Sequence, residues 1–292
     1  MMNKESSIKY PTSLLFVVIT IALLSTMATL LGIFSSGGPG PWEHTSVHGQ
    51  TVLLYGKGLY QWMPADVAIQ GIAQDWITLL VGIPLLIGSL FGTLKSSIKS
   101  AYILTGTSFY FFVTYLFYLT MAFFSSLFLL HAILLAFSFF AVALSMSHIL
   151  SSEKATHFVS EGWLKWAGGF LFFNSIMVAA LWLSIVIPPL LDGTIYPRDL
   201  FHFTTLVVQG LDLGLLLPIG MVVGFLSMRG KSYLYPYLIA YLIFLSLMML
   251  TLCSKIFFMA RAGQSVIPVV FIMPLVFLIA SFFSIQILRK TL

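Results

Sequence analysis

The sequence predicts an all-α protein: a polytopic transmembrane helix bundle of about eight spans, with a small extracytoplasmic cap between helices one and two. Three observations lead there. Hydrophobic residues make up 59% of the 292 residues and charged residues only 8%, against about 25% charged in an average soluble domain. The apolar residues fall into runs of roughly 20, the length that crosses a bilayer core of about 30 Å. Basic residues gather in the short loops between those runs, where they act as orientation signals. The net charge of +5 is therefore read as topology, with lipid as the partner and no nucleic acid. The 27 Phe residues fit the same solvent, since a ring facing lipid needs no polar partner.

Residues 1–11 are polar and carry Lys4 and Lys9. The run Thr12 to Phe34 exceeds the roughly 7–15 apolar residues of a secretory signal core, so it is read as a retained first span, with cleavage near Ser35-Ser36-Gly37 as the minor alternative. Residues 35–74 form the cap. Gly37-Gly38-Pro39-Gly40-Pro41 stops the helix. Thr51–Tyr55 and Gly58–Trp62 are β-prone and flank Gly56-Lys57, which suggests a hairpin. Pro64-Ala65-Asp66 then opens a short helix that runs through Ile69 and Ile72 into the second span. Further spans are expected at about 76–94, 101–121, 123–147, 166–188, 205–227, 233–257 and 265–287. Only Leu119-Thr120-Met121 and Ser125-Ser126 mark the turn between the third and fourth.

With the N-terminus inside, inner segments hold Lys4, Lys9, Lys95, Lys99, Lys154, Lys165, Arg229, Lys231, Arg289 and Lys290. Outer ones hold Lys57, Arg198, Lys255 and Arg261. Ten against four agrees with the positive-inside rule and an even helix count. The whole chain, 1–292, reads as a single transmembrane domain. Within it, 12–150 and 166–288 form a candidate 4+4 parallel repeat. Gln70-Gly71-Ile72-Ala73-Gln74-Asp75 with Pro84 resembles Gln209-Gly210-Leu211-Asp212 with Pro218, and a four-helix unit repeats about an axis along the membrane normal. The Asp-to-Pro spacings differ by three residues.

The candidate substrate- or ion-binding residues are Asp212, Asp75, Lys255, Gln209 and His131. Asp212 stands alone in an apolar run, where a charge costs roughly 2.5–3.5 kcal/mol. It is either a protonatable or cation-binding carboxylate or an Asp paired to pin two helices. Gly210 and Gly214 flank it and would admit a neighbouring helix. Asp75, beside Trp76, is either a helix-start carboxylate with an interfacial anchor or a second acid above Asp212. Lys255 either snorkels or pairs with one of these acids. His131 shares the depth of Asp212, and Tyr115 and Tyr118 could complete a polar patch, although a lone histidine in an apolar helix is commonly a core residue. Asn174 is expected to bond a neighbouring helix. His44 and His48 sit four apart beside Glu43, but in a Gly-rich loop where ordinary solvation is the simpler reading than metal. His202, near Arg198 and Asp199, reads as an outer-loop residue. Cys253 is alone, which excludes an internal disulfide and any multi-cysteine metal site.

No His-Glu-x-x-His, Gly-x-Ser-x-Gly, phosphate-cradling Gly-rich loop or Cys-x-x-Cys is present, so an enzyme has least support and no cofactor is implied. Val52-Leu53-Leu54-Tyr55-Gly56-Lys57-Gly58-Leu59-Tyr60, Ala73-Gln74-Asp75-Trp76-Ile77-Thr78-Leu79, Gly82-Ile83-Pro84-Leu85-Leu86 and Leu211-Asp212-Leu213-Gly214-Leu215-Leu216-Leu217-Pro218 resemble strings in a group of uncharacterised bacterial multi-pass membrane proteins of about eight helices. The resemblance runs from about 50 to 260. Lys255 falls where that group tends to have lysine, and His131 where it has tyrosine. The resemblance implies a bacterial inner-membrane protein and carries no activity with it; the distribution of Lys and Arg sets both termini on the cytoplasmic side. Two functional expectations follow from the residues: a small-solute or ion permease using a buried carboxylate, or a non-transporting receptor or accessory protein that binds a ligand under its outer cap.

Overall fold

A computed structural model describes residues 12–121, 123–152 and 161–291. Lys4, Lys9 and Lys154 lie outside them. Eight helical spans, each long and apolar enough to cross a membrane, account for most of the described chain. They are α1 (Thr12–Phe34), α2 (Ala65–Ile77) continuing into α3 (Ile83–Leu94), α4 (Ile98–Met121), α5 (Phe128–Leu150), α6 (Glu161–Leu191), α7 (Val207–Leu211) continuing into α8 (Leu217–Met228), α9 (Tyr235–Arg261) and α10 (Val269–Lys290). In a bilayer every backbone polar group must find an internal partner, and a helix supplies that from its own chain. The third and fourth spans are separate helices. The helix opened at Pro64 does run without a break into the second span.

Two spans change pitch in the same way. Thr78–Gly82 and Asp212–Leu216 are π turns, closed by Ile83 N–H to the Thr78 carbonyl and Leu217 N–H to the Asp212 carbonyl. Pro84 and Pro218 follow immediately. Proline lacks the N–H and its ring crowds the carbonyl four residues back, and widening the turn by one residue relieves both. Side chains complete the bonding. Tyr241 Oη donates to the Leu216 carbonyl at 2.8 Å, and Thr78 Oγ1 to the Gln74 carbonyl at 2.9 Å.

The centre of the bundle is the α4–α9 contact. At Gly106 a Cβ would lie 2.5 Å from Ile243 Cβ and 2.8 Å from the Ala240 carbonyl, so only glycine allows this approach. Around the contact, α4 buries Tyr102, Tyr110, Phe111 and Tyr115 completely. It also packs on α3 and α5, while α9 packs on α2 and α10, and α1 packs on α2, α3 and α5. The pair α6–α8 stands to one side. A Cβ at Gly224 would lie 2.6 Å from the Phe172 nitrogen, one at Gly168 2.7 Å from the Gly224 carbonyl, and one at Gly220 2.5 Å from Ser175 Oγ. The small-residue seam is therefore Gly220 and Gly224 of α8. Gly210 and Gly214, expected to admit a helix, have nothing within 4 Å of a built Cβ. Asn174 is likewise displaced from its expected role. It makes no side-chain hydrogen bond among the described residues, and its neighbour Ser175 meets α8 instead.

In the cap the hairpin exists with a different partner strand. β1 (Trp42–Thr45) pairs antiparallel with β2 (Thr51–Leu54), Trp42 opposite Leu54 and Thr45 opposite Thr51. Gly58–Tyr60 is a 3-10 turn. Gly49 at φ 79° closes the β1–β2 loop, where Ser46 N–H bonds the Gln50 carbonyl. Gly56 at φ 73° then turns the chain away from the sheet. Ser35 Oγ takes the Leu59 N–H at 2.7 Å, tying the turn to the end of α1.

Candidate functional site: a buried carboxylate belt on the cap side

Asp75 lies three turns into α2, about 15 Å from its start, and is 1% exposed. Asp66 occupies the first turn, so Asp75 is no helix-start group. Its Oδ2 accepts Tyr60 Oη at 2.6 Å and its Oδ1 accepts Tyr118 Oη at 2.9 Å. Tyr118 Oη also reaches the Gly71 carbonyl at 3.2 Å. Space for this comes from two glycines. A Cβ at Gly32 of α1 would fall 1.9 Å from Asp75 Oδ2, and one at Gly71 would fall 2.7 Å from the Tyr60 ring. Elements from the cap, α1, α2 and α4 thus converge on one carboxylate. Trp76 turns away to meet Phe34 edge-on at 5.8 Å. His131 of α5 stacks on Tyr115 at 6.0 Å and meets Tyr118 edge-on at 5.4 Å. It therefore backs the aromatic wall of the Asp75 pocket.

A neutral network continues from Asp75 toward the terminal side. Gln74 Nε2 donates to Tyr110 Oη at 3.2 Å and Thr114 Oγ1 at 3.0 Å. Tyr110 Oη is 2.8 Å from Thr78 Oγ1 and 3.2 Å from Thr251 Oγ1. Ser254 Oγ donates to the Ala73 carbonyl at 3.2 Å. These hydroxyls join α2, α4 and α9. Sequence reasoning missed Gln74, Thr78, Tyr110, Thr114 and Thr251. A readable signal was present, because residues four apart share a helix face: Gln74 and Thr78; Tyr110, Thr114 and Tyr118; Thr251 and Lys255.

Asp212 heads the second π turn and is half-buried. Its Oδ2 accepts Trp182 Nε1 of α6 at 2.8 Å. Sequence reasoning did not single out Trp182. Lys255, half-buried on α9, lies within electrostatic range of both Asp75 and Asp212, yet forms no ion pair with either. The ion pair among the described residues is Lys165–Glu161 at the start of α6. Of the two readings of Lys255, an ion pair with either acid is not formed, and neutral donors bond the carboxylates: two tyrosines on Asp75 and one indole on Asp212. A neutral N–H or O–H satisfies a carboxylate lone pair without confining a flexible ammonium. Gln209, half-buried, makes no side-chain hydrogen bond among the described residues and stays outside the belt.

Above the belt the cap docks on the 192–206 loop. His48 Nε2 is 3.2 Å from the Phe203 carbonyl, and its ring stacks on Tyr196 at 4.2 Å. His44 pairs with His202 (5.7 Å between centroids), not with His48. Burial, reinforced by the nearby His44, pushes the His202 imidazole down to about 4, with the Trp62 backbone opposing the shift. Among the described residues no group of three metal-ligating side chains converges. The resemblance of strings noted above has no counterpart in comparisons with known proteins: no family model, no curated protein and no solved structure matches this chain.

Proposed function

We propose that this chain is a small-solute or ion permease of a bacterial inner membrane, both termini cytoplasmic, in which Asp75, Asp212 and Lys255 handle one cation. The observation that carries the reading is the charge balance of the belt. Two carboxylates and one ammonium share one region in the cap-side half, and neither acid is locked to the lysine. With all three ionised, one negative charge is unbalanced. An uncompensated buried charge costs several kcal/mol, which one proton or one monovalent cation would relieve. Each acid stands beside a π turn and a proline, the kind of irregularity that clusters at functional sites in helices. The two irregular spans occupy corresponding places in the candidate 4+4 repeat. Aligned on their prolines, they set Thr78 opposite Asp212 and Asp75 opposite Gln209, which accounts for the three-residue difference in spacing.

Proteoliposome flux tests it. Vesicles loaded with a pH-sensitive dye, or with a sodium-sensitive one, are placed under an imposed potential. The wild-type chain is expected to pass protons or a monovalent cation, and Asp75→Asn and Asp212→Asn to reduce that passage at least tenfold. Unchanged passage in both variants removes the belt from the mechanism. The second reading is a receptor or accessory protein with its ligand under the cap. It draws on Tyr60, which reaches from the cap to the Asp75 carboxylate, so a ligand that moves the cap would alter the belt directly. Absence of any flux, together with ligand-dependent protection of residues 42–63 from hydrogen exchange, would select it.

A further inference from the structure

The hydrogen bonds at the two carboxylates differ in what they can do with a proton. At Asp75 both partners are phenols, and a phenol both donates and accepts. Tyr60 Oη donates to Oδ2 at 2.6 Å, and Tyr118 Oη lies 2.9 Å from Oδ1 and 3.2 Å from the Gly71 carbonyl. Tyr118 carries a single hydroxyl hydrogen, so it serves only one of those two acceptors at a time. At Asp212 the structure gives the carboxylate one hydrogen-bond partner, Trp182 Nε1 at 2.8 Å. An indole N–H donates and never accepts. That site suits an ionised acid in one fixed arrangement.

We infer that the cation taken up by the belt is a proton, held on Asp75, while Asp212 stays ionised with its charge balanced by that of Lys255. The inference rests on the permease reading above and names its ion. With Asp75 ionised, Tyr60 donates to Oδ2 and Tyr118 to Oδ1. An arriving proton binds Oδ1. The new O–H donates to Tyr118 Oη, and the Tyr118 hydrogen turns to the Gly71 carbonyl, which has a second lone pair beside its helix bond. Tyr60 keeps its bond to Oδ2. Three hydrogens then meet three acceptors, no phenolate forms, and each protonation state has a complete set of bonds. The charge of the belt closes at zero, with Asp75 neutral, Asp212 negative and Lys255 positive. A metal cation fits this cluster poorly. It needs a shell of oxygen lone pairs, and both phenol hydrogens here are directed at the carboxylate. Space is short as well, since a Cβ at Gly32 would fall 1.9 Å from Oδ2 and one at Gly71 2.7 Å from the Tyr60 ring. The other titratable groups facing Asp75 are Tyr110 and Tyr115 of α4 and Lys255 of α9. His131 of α5 stands behind Tyr115 and Tyr118, and α1 brings none.

Equilibrium infrared spectroscopy of the full-length chain in nanodiscs tests this without requiring transport. Difference spectra between alkaline and acid choline buffers are expected to show a protonated-carboxyl C=O band that shifts down in D2O. Asp75→Asn abolishes that band and Asp212→Asn keeps it. Tyr118→Phe, which leaves the Tyr60 bond in place, moves the band to higher frequency because the acid loses its acceptor. A tyrosine that only packed there would not move it. Replacing choline by sodium leaves the band unaltered. No such band, a band lost with Asp212→Asn and kept with Asp75→Asn, a band removed by sodium at constant pH, or a Tyr118→Phe band at the wild-type frequency overturns the inference. Size-exclusion profiles identify any variant that fails to fold, and the Tyr118→Phe shift decides the matter even if Asp75→Asn is one of them. Proteoliposome flux separates the outcome from the permease reading. Passage of sodium with no Asp75 band overturns the proton assignment alone, and an Asp75 band with no flux of either ion overturns the permease reading alone.

Discussion

Gly32→Ala is the sharpest test of the Asp75 pocket. The added methyl would sit 1.9 Å from Asp75 Oδ2, 2.9 Å from its Cγ and 3.3 Å from Tyr60 Oη. No rotation of the methyl relieves this, because Cβ is fixed by the α1 backbone. Asp75 is 1% exposed and has little room to retreat, so the carboxylate must move and its bonds to Tyr60 and Tyr118 must lengthen. Overpacking a filled site costs about 1–3 kcal/mol. Losing one of the two tyrosine bonds adds about 1–2 kcal/mol, offset by about 0.5–1 kcal/mol from the better helix propensity of alanine. The net expectation is about 1–4.5 kcal/mol of destabilisation. It is read as the shift in denaturant or thermal midpoint of the detergent-solubilised protein, followed by near-ultraviolet circular dichroism. Gly88→Ala is the control, with nothing within 4 Å of its built Cβ, and is expected to be neutral or slightly stabilising. The decisive comparison is a double-mutant cycle with Tyr60→Phe. If Gly32 exists to seat the Tyr60–Asp75 contact, the double variant costs clearly less than the sum of the singles. Additive costs, or a Gly32→Ala midpoint equal to that of Gly88→Ala, would refute the reasoning.

Three further outcomes follow from the same geometry. Gly224→Ala places a methyl 2.6 Å from the backbone nitrogen of Phe172, which cannot yield as a side chain would. It should cost about 1–3 kcal/mol in the same unfolding assay, while Gly214→Ala changes stability by no more than about 0.5–1 kcal/mol. Trp182→Phe removes the one hydrogen bond the structure gives the Asp212 carboxylate and should cost about 1–3 kcal/mol. Little further loss is expected when Asp212→Asn is added, and full additivity in thermal unfolding would show the two residues to be uncoupled. His202 binds its proton less readily in the docked cap than the ordinary imidazole at 6.5. A lowered value means the docked state holds fewer protons, so docking is fully stable above about pH 6.5 and weakens as pH falls toward about 4. The fluorescence of Trp42 and Trp62, in edge contact at 5.3 Å in the cap, should report that loosening, and His202→Gln should flatten the profile between those limits.

The residues show which features could be read ahead of the fold. The eight spans were legible because a bilayer imposes a length and a composition that local windows display. The continuity of the short helix at Pro64 into the second span was legible from helix-start chemistry. Asp75, Asp212 and Lys255 could be singled out because a charge in an apolar run is conspicuous. Their partners could not. Tyr60, Tyr118 and Trp182 are unremarkable residues within a protein rich in aromatics, and only the packing of separate helices selects them. The hairpin was legible as a hairpin, but its register was not. Trp42–Thr45 and Gly58–Trp62 are both plausible mates for Thr51–Leu54, and the glycine turn angles together with the Ser35 tether choose between them.

By itself, the sequence determined that the chain is a membrane-spanning helix bundle in which Pro84 and Pro218 are each placed to disturb a helix, because hydropathy and backbone chemistry are local properties. The tertiary structure decided that both disturbances take the form of a π turn. It also decided that Gly220 and Gly224 form the tight seam in place of Gly210 and Gly214, and that the carboxylates are bonded by tyrosine and tryptophan, with neither ion-paired to Lys255. Those outcomes depend on which helix faces meet. In a bundle where nearly every face is apolar, periodicity gives no preferred side, so close packing and the need to satisfy each buried polar atom make the choice.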